Sequence, residues 1–116
     1  ALTLGIDLGT SALKLVAMDS GGAVLASGSA GFPTVCEAAG QAEQDPADWL
    51  RALSSAAEEL GSQLKSRHES WASRVAGIGV TGQLPTLVCL GASGGTGRAT
   101  AWKASMSWST VVVVKV

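Results

Sequence analysis

The sequence lacks the concentrated positive charge on which nucleic-acid and membrane surfaces depend. Its 116 residues contain 8 Lys and Arg against 9 Asp and Glu, a formal net charge of -1, and these charges are scattered without long runs. A nucleic-acid interface needs clustered basic residues, and so does a polybasic membrane surface. We therefore expect a partner that is neither a nucleic acid nor a membrane.

Long hydrophobic runs are also missing. No run exceeds four residues, the length of residues 87–90 and 111–114, and this is far shorter than the roughly 20 residues that span a bilayer as a helix. No basic region precedes the first apolar segment, as it would in a secretory signal peptide. We therefore expect a cytoplasmic location.

Cysteine and histidine are too few to suggest a metal site. Cys36 and Cys89 are the only cysteines, His68 is the only histidine, and their spacing matches no common metal-binding pattern. Free thiols, buried or partly buried in a reducing compartment, are the expected state, with a disulfide as the alternative.

The chain does contain enough apolar residues for a core, because 47% of it is hydrophobic and its mean hydropathy is +0.32. Its length suits one small domain or a piece of a larger one. The segments 2–6, 13–18 and 23–29 predict three strands in an antiparallel meander. Residues 19–22 form the second turn of that meander, and residues 31–42 a loop.

A helix and a further strand follow the meander. Asp45 suits the N-cap, Pro46 suits the first helical position, and apolar residues at helical spacing continue to residue 64. Residues 75–80 predict a short buried strand whose glycines permit close backbone packing. A strand reached through a helix is most simply parallel to the first strand, which places Asp7 and Gln83 near one another in an α/β fold.

The first turn is a candidate phosphate site. Asp7 ends a strand, Gly9 is expected to supply a positive φ and close access, and Thr10 and Ser11 add hydroxyls. Turn N–H groups can bind phosphate oxygens, a carboxylate can hold hydrated Mg²⁺, and Lys14 adds positive charge. The alternative is an ordinary hairpin turn in which Asp7 bonds the turn amides.

Three motifs in order are similar to those of one family. Gly5-Ile6-Asp7-Leu8-Gly9-Thr10-Ser11 with Lys14 resembles the first phosphate motif of the FGGY carbohydrate kinases, xylulokinase-like members in particular. Glu43-Gln44-Asp45-Pro46 with Trp49 resembles the segment that opens their first helix. Gly77-Ile78-Gly79-Val80-Thr81-Gly82-Gln83 resembles their next strand and its sugar-side loop.

The resemblance implies a fold and an activity. The fold would be an incomplete ribonuclease H-like subdomain of the actin-like ATPase superfamily, and the activity ATP-dependent phosphorylation of a sugar, a pentulose such as xylulose or a related polyol. Asp7 would organise Mg²⁺. The β- and γ-phosphates of ATP would lie on Gly9, Thr10, Ser11 and Lys14. The sugar would lie near Gln83, Leu84, Pro85 and Trp102. The family's catalytic base would lie beyond residue 116.

The resemblance covers residues 1–102 and leaves 103–116 as an unmatched tail. Leu84-Pro85 stands where many xylulokinase-like members carry Met-His, and Ala104 and Met106 stand where members carry sugar-contacting Asp and Arg. A catalytically inactive binding or regulatory fragment of the same fold is therefore the alternative. The sequence leaves the oligomeric state open, a homodimer being one option.

Overall fold

The computed structural model describes residues 1–36, 39, 42–67, 69–83, 86–88 and 99–101. These residues form two β-sheets, one long α-helix and a short 3-10 helix. The elements in chain order are β1 (Leu2–Leu8), β2 (Ala12–Asp19), β3 (Val24–Gly31), β4 (Ala42–Gln44), α1 (Pro46–Lys65), the 3-10 helix (Trp71–Arg74), β5 (Val75–Gly82), β6 (Thr86–Leu87) and β7 (Ala99–Ala101).

The larger sheet has the strand order β3-β2-β1-β5. β2 pairs antiparallel with both β1 and β3, whereas β5 pairs parallel with β1. The predicted meander, helix and parallel strand are therefore confirmed. β1 and β5 each end two residues later than predicted, and β2 is one residue longer at each end. β3 starts one residue later and ends two residues later, because backbone pairing with β2 continues to Gly31.

Helix α1 begins where its sequence signals place the start. The Asp45 side chain accepts a hydrogen bond from the backbone N–H of Ala47 at 2.8 Å, and Pro46 stands in the first turn, where no N–H is needed. The helix packs on β2 and β3. The buried apolar core consists of Leu2, Leu13, Leu15, Ala17, Ala26, Phe32, Ala52, Ala56, Leu60 and Leu64.

The helix lies in close contact with the sheet where Ala56 passes Gly28 of β3. A Cβ placed on Gly28 would lie 2.0 Å from the carbonyl oxygen of Ala56 and 2.9 Å from its carbonyl carbon. Real Cβ atoms do not approach backbone atoms so closely, so the crossing requires a glycine at this position. Ala56 is fully buried as a result.

β3 is an edge strand whose outward backbone groups are bonded by helix side chains. Gln63 accepts a hydrogen bond from the N–H of Ser27 at 3.2 Å and donates one to the Ser27 carbonyl at 2.6 Å. Glu59 accepts one from the N–H of Ser29 at 3.0 Å. An open edge offers such groups to another chain. Here two helix side chains occupy them.

The prediction that residues 75–80 are buried is wrong. β5 forms the other edge of the sheet, and the side chains of Ile78 and Val80 are 60% and 71% exposed. Helix α1 covers β2 and β3 and leaves β5 uncovered within the described residues. A Cβ on Gly77 or Gly79 would meet nothing within 4 Å, so these glycines are not required for close packing there.

The smaller sheet has the order β4-β7-β6, with both pairs antiparallel. β4 begins at the end of the predicted loop 31–42, where a backbone bridge between Val35 and Glu43 also forms. Between residues 84 and 90 the structure describes one strand, β6, Thr86–Leu87. Gln44, at the end of β4, contacts the turn between β1 and β2 and the residue that follows β5.

Candidate functional site

The turn between β1 and β2 is closed by a backbone hydrogen bond. The N–H of Gly9 donates to the carbonyl oxygen of Ala12 at 3.0 Å. The expectation of a positive φ at Gly9 is wrong, since Gly22 in the next turn is the residue with a positive φ among those described. A Cβ placed on Gly9 would instead lie 3.0 Å from the carbonyl oxygen of Ala12, which is a tight contact. The Gly9 N–H is thus used within the hairpin.

The carbonyl oxygens of the two central turn residues are held by other parts of the fold. Gln44 Nε2 donates to the Thr10 carbonyl at 2.8 Å, and the N–H of Phe32 donates to the Ser11 carbonyl at 3.0 Å. No hydrogen bond between described residues uses the N–H or the hydroxyl of Thr10 or Ser11 as donor. Both residues are exposed. The turn is anchored through its carbonyls, and four of its donors have no partner among the described residues.

Asp7 and Lys14 lie directly opposite one another on adjacent antiparallel strands, so their side chains share one face of the sheet. Thr81 takes the matching position on β5. Asp7 and Lys14 are exposed, and neither enters an ion pair within the described residues. A depression of about 530 Å³ lies on this face, lined by Gly5, Ile6, Asp7, Lys14, Val16, Gly79, Val80 and Thr81.

Gln83 follows β5 and lies beside the end of β1. Its backbone N–H donates to the Leu8 carbonyl at 3.0 Å, which continues the parallel pairing. The predicted proximity of Asp7 and Gln83 is confirmed, because parallel strands end at the same edge of the sheet. The half-buried side chain of Gln83 donates from Nε2 to Gln44 Oε1 at 3.3 Å.

Gln44 connects these parts of the site. Its side chain is 4% exposed. Nε2 donates to the Thr10 carbonyl and, at 2.7 Å, to Thr34 Oγ1, while Oε1 accepts from Trp49 Nε1 at 3.0 Å and from Gln83 Nε2. A primary amide has two donor hydrogens and an oxygen with two lone pairs. All four positions are used.

The sequence pattern did not reveal Gln44 as a site residue. A glutamine before a helix cap is common in exposed loops, and nothing local shows that Thr10 lies against it from 34 positions earlier. Two signals were available. Gln44 stands in the motif that resembles the segment opening the family's first helix, and the indole N–H of Trp49 needs an acceptor when it is partly buried.

Three predicted sugar-side residues, Leu84, Pro85 and Trp102, lie outside the described residues, as does Cys89. Cys36 is described and is free and exposed. The expectation of a buried or partly buried thiol is therefore wrong for Cys36, because it lies in the connection between β3 and β4, away from the core.

Groups suited to binding Mg²⁺ and phosphate surround the turn. A lone carboxylate (Asp7), two hydroxyls, two backbone N–H groups and the ammonium of Lys14 fit Mg²⁺ bound through few protein ligands together with phosphate and water. A cage of protein ligands is absent, since the described ranges contain no group of three or more His, Cys, Asp or Glu residues able to hold a metal ion. Nor is any helix within those ranges long and apolar enough to cross a membrane.

Comparison with known proteins gives consistent matches. The chain matches the model of the FGGY family of carbohydrate kinases, N-terminal domain, over residues 2–112. It is 39% identical over 87 residues, 75% of its length, to the xylulose kinase of Bacillus subtilis (strain 168). Solved structures of a xylulose kinase from Rhodospirillum rubrum and a gluconate kinase from Lactobacillus acidophilus match 89% and 87% of the chain, with TM-scores of 0.71 and 0.66 at 28% and 29% identity.

The chain spans only a small part of these relatives. It covers 17% of the Bacillus protein and 20% of each of the two proteins of known structure. The family match extends past residue 102, which the motifs suggested as the end of the matched region. The division at that residue stays a prediction.

Proposed function

Because the chain belongs to the FGGY family of carbohydrate kinases, we propose that it is the N-terminal portion of an enzyme that transfers the γ-phosphoryl group of ATP to a sugar hydroxyl. The proposed acceptor is a pentulose such as xylulose, or a related polyol, and the proposed location is the cytoplasm. The catalytic base would belong to a part of the enzyme beyond residue 116.

The observation that supports this function most directly is the state of the first turn. The carbonyls of Thr10 and Ser11 accept hydrogen bonds from Gln44 and Phe32, while their N–H groups and hydroxyls have no partner among the described residues. Phosphoryl transfer depends chiefly on positioning and on neutralising the charge of the phosphates. A rigid turn with unused donors suits both tasks.

Each residue near the turn then has a role. Thr10 and Ser11 donate hydrogen bonds to the β- and γ-phosphate oxygens, with Gly9 keeping the turn compact. Lys14 contributes positive charge from the neighbouring strand. Asp7 would hold the hydrated Mg²⁺, and the bound metal ion would neutralise negative charge on the phosphates during transfer.

Gln83 is proposed to face the sugar. One hydrogen of its Nε2 is donated to Gln44, which leaves the second Nε2 hydrogen to donate to a sugar oxygen and the side-chain oxygen to accept from a sugar hydroxyl. The predicted sugar contacts at Leu84, Pro85 and Trp102 remain proposals. One relative is named for xylulose and another for gluconate. The acceptor of the enzyme that contains this chain is therefore to be identified by a screen of sugars.

The test is sugar-stimulated formation of ADP by the protein that carries this chain. Asp7→Asn keeps the shape of the side chain and removes its charge, so we expect the rate to fall by at least about 10-fold, with restoration in part by excess Mg²⁺. Glu58→Gln removes an equal charge from an exposed position on α1 and should leave the rate unchanged. Equal rates for Asp7→Asn and the unaltered protein would overturn the proposal.

A catalytically inactive binding or regulatory module of the same fold is the second candidate. Leu84, Pro85, Ala104 and Met106 favour it, because they depart from the family's pattern at positions where the resemblance implies sugar contacts. An intact mass near 11.6 kDa together with no ADP formation for any sugar would support this candidate. A larger mass with sugar-dependent turnover would exclude it.

A further inference from the structure

We propose that Gln44 is a positioning residue that couples the phosphate turn to the sugar-side Gln83. The assignment of the two sides rests on the proposed function. Gln44 itself would touch neither nucleotide nor sugar; it would act by setting the orientation of groups that do.

The orientation of the Gln44 amide is determined by its partners. The Thr10 carbonyl can only accept a hydrogen bond, so it must face Nε2, and the indole N–H of Trp49 can only donate, so it must face Oε1. Rotating the amide by half a turn would set donor against donor and acceptor against acceptor. Gln83 therefore has one favourable way to meet Gln44, with its NH₂ group toward Oε1.

The bond to Thr10 acts on the donor that would meet phosphate. The Thr10 carbonyl and the Ser11 N–H belong to the same peptide group, so a hydrogen bond accepted at the oxygen polarises the N–H on the other side. Successive hydrogen bonds strengthen one another in this way in a low-dielectric environment. Gln44 thus makes Ser11 a better anion donor and limits the movement of the turn.

The same amide links that effect to Gln83. The path runs from Gln83 Nε2 to Gln44 Oε1 at 3.3 Å, through the amide, and from Nε2 to the Thr10 carbonyl at 2.8 Å. Trp49 supports the amide from the helix at 3.0 Å. A ligand that moves Gln83 would therefore change the polarisation of the Ser11 N–H, and a ligand bound at the turn would change the hydrogen bonding of Gln83.

The first measurement needs no ligand. The amide resonance of Ser11 in the ¹⁵N-labelled protein reports the hydrogen bond at the Thr10 carbonyl. We expect it to move in Gln44→Met, which keeps the side-chain length without the amide, and also in Gln83→Ala, which leaves the core intact. Thr86→Val removes a bond of 3.2 Å to the Gln83 backbone carbonyl and is the matched control.

These variants separate positioning from a structural role. If Gln83→Ala shifts the Ser11 resonance no more than Thr86→Val does, the coupling is overturned. This holds regardless of how much stability Gln44→Met loses. If Gln44→Met does not fold, Gln83→Ala alone still decides the question. A shift of Ser11 in Gln83→Ala that exceeds the control supports the proposal.

The second measurement adds Mg²⁺ and a non-hydrolysable ATP analogue. We expect the Trp49 indole and Gln83 side-chain resonances to move as the Ser11 amide does, and the dissociation constant to rise about five-fold in Gln44→Met. Movement of Ser11 without movement of Trp49 and Gln83 overturns the coupling and leaves the nucleotide site standing. If no resonance of the turn shifts, the proposed nucleotide site is overturned. The measurement without ligand still decides the role of Gln44.

Discussion

Replacing Gly28 with alanine tests the packing of helix α1 on the sheet. The added Cβ would lie 2.0 Å from the carbonyl oxygen of Ala56, against a limit of 3.0 Å that real Cβ contacts respect. The helix would have to move away by about 1 Å at this point, which is the difference between 2.0 Å and 3.0 Å. The Ala56 atoms that the new Cβ would meet all belong to the backbone, so no side-chain rotation can relieve the contact.

The expected loss of stability follows from that geometry. Overpacking usually costs about 1–3 kcal/mol, and we expect the upper half of this range for Gly28→Ala because a whole helix must move. The reduced freedom of the unfolded chain offsets about 0.4–1 kcal/mol. A net loss of about 2 kcal/mol is a large fraction of the roughly 6–17 kcal/mol typical of a chain of this length.

The assay is urea unfolding followed by far-ultraviolet circular dichroism and tryptophan fluorescence. Gly77→Ala is the matched control, a strand glycine whose new Cβ would meet nothing within 4 Å. We expect it to be unchanged or up to about 1 kcal/mol more stable. A loss below about 0.5 kcal/mol in Gly28→Ala, or an equal loss in Gly77→Ala, would refute the reasoning.

Two further perturbations test the core and the sheet edge. Leu60 is fully buried, so Leu60→Ala should cost about 2–5 kcal/mol in the same assay, whereas Leu50→Ala, at a position 65% exposed on the same helix, should cost less than about 0.5 kcal/mol. Joint replacement of Glu59 and Gln63 by alanine should free the backbone of β3 and raise self-association in sedimentation velocity, and an unchanged sedimentation coefficient across protein concentrations would argue against edge protection.

Local chemistry made much of the fold predictable. The helix start follows from Asp45 and Pro46, whose effects act within one turn of the chain. The parallel placement of β5 follows from the right-handed crossover that a strand, helix and strand in one sheet adopt. The exposure of Ile78 and Val80 was not predictable, because apolar residues in a strand do not indicate whether another layer covers them.

The candidate site divides in the same manner. Asp7, Lys14 and the turn hydroxyls are recognisable because strand ends and turn residues are encoded by neighbours in sequence. The conformation at Gly9 was predicted wrongly, since the turn closes through the Ala12 carbonyl without a positive φ. The Gln44 bonds join Thr10 to Gln83 across 34 and 39 positions, so no local pattern contains them.

By itself the sequence determined the family, the order of strands and helix, and the turn that carries the candidate phosphate donors, because each depends on residue types at short, regular spacing. Only the tertiary structure decided which carbonyls of that turn are held, why Gly28 must lack a side chain, and which amide joins Thr10 to Gln83. Those features arise where segments distant in sequence meet, and the geometry of that meeting is set by packing the whole core at once.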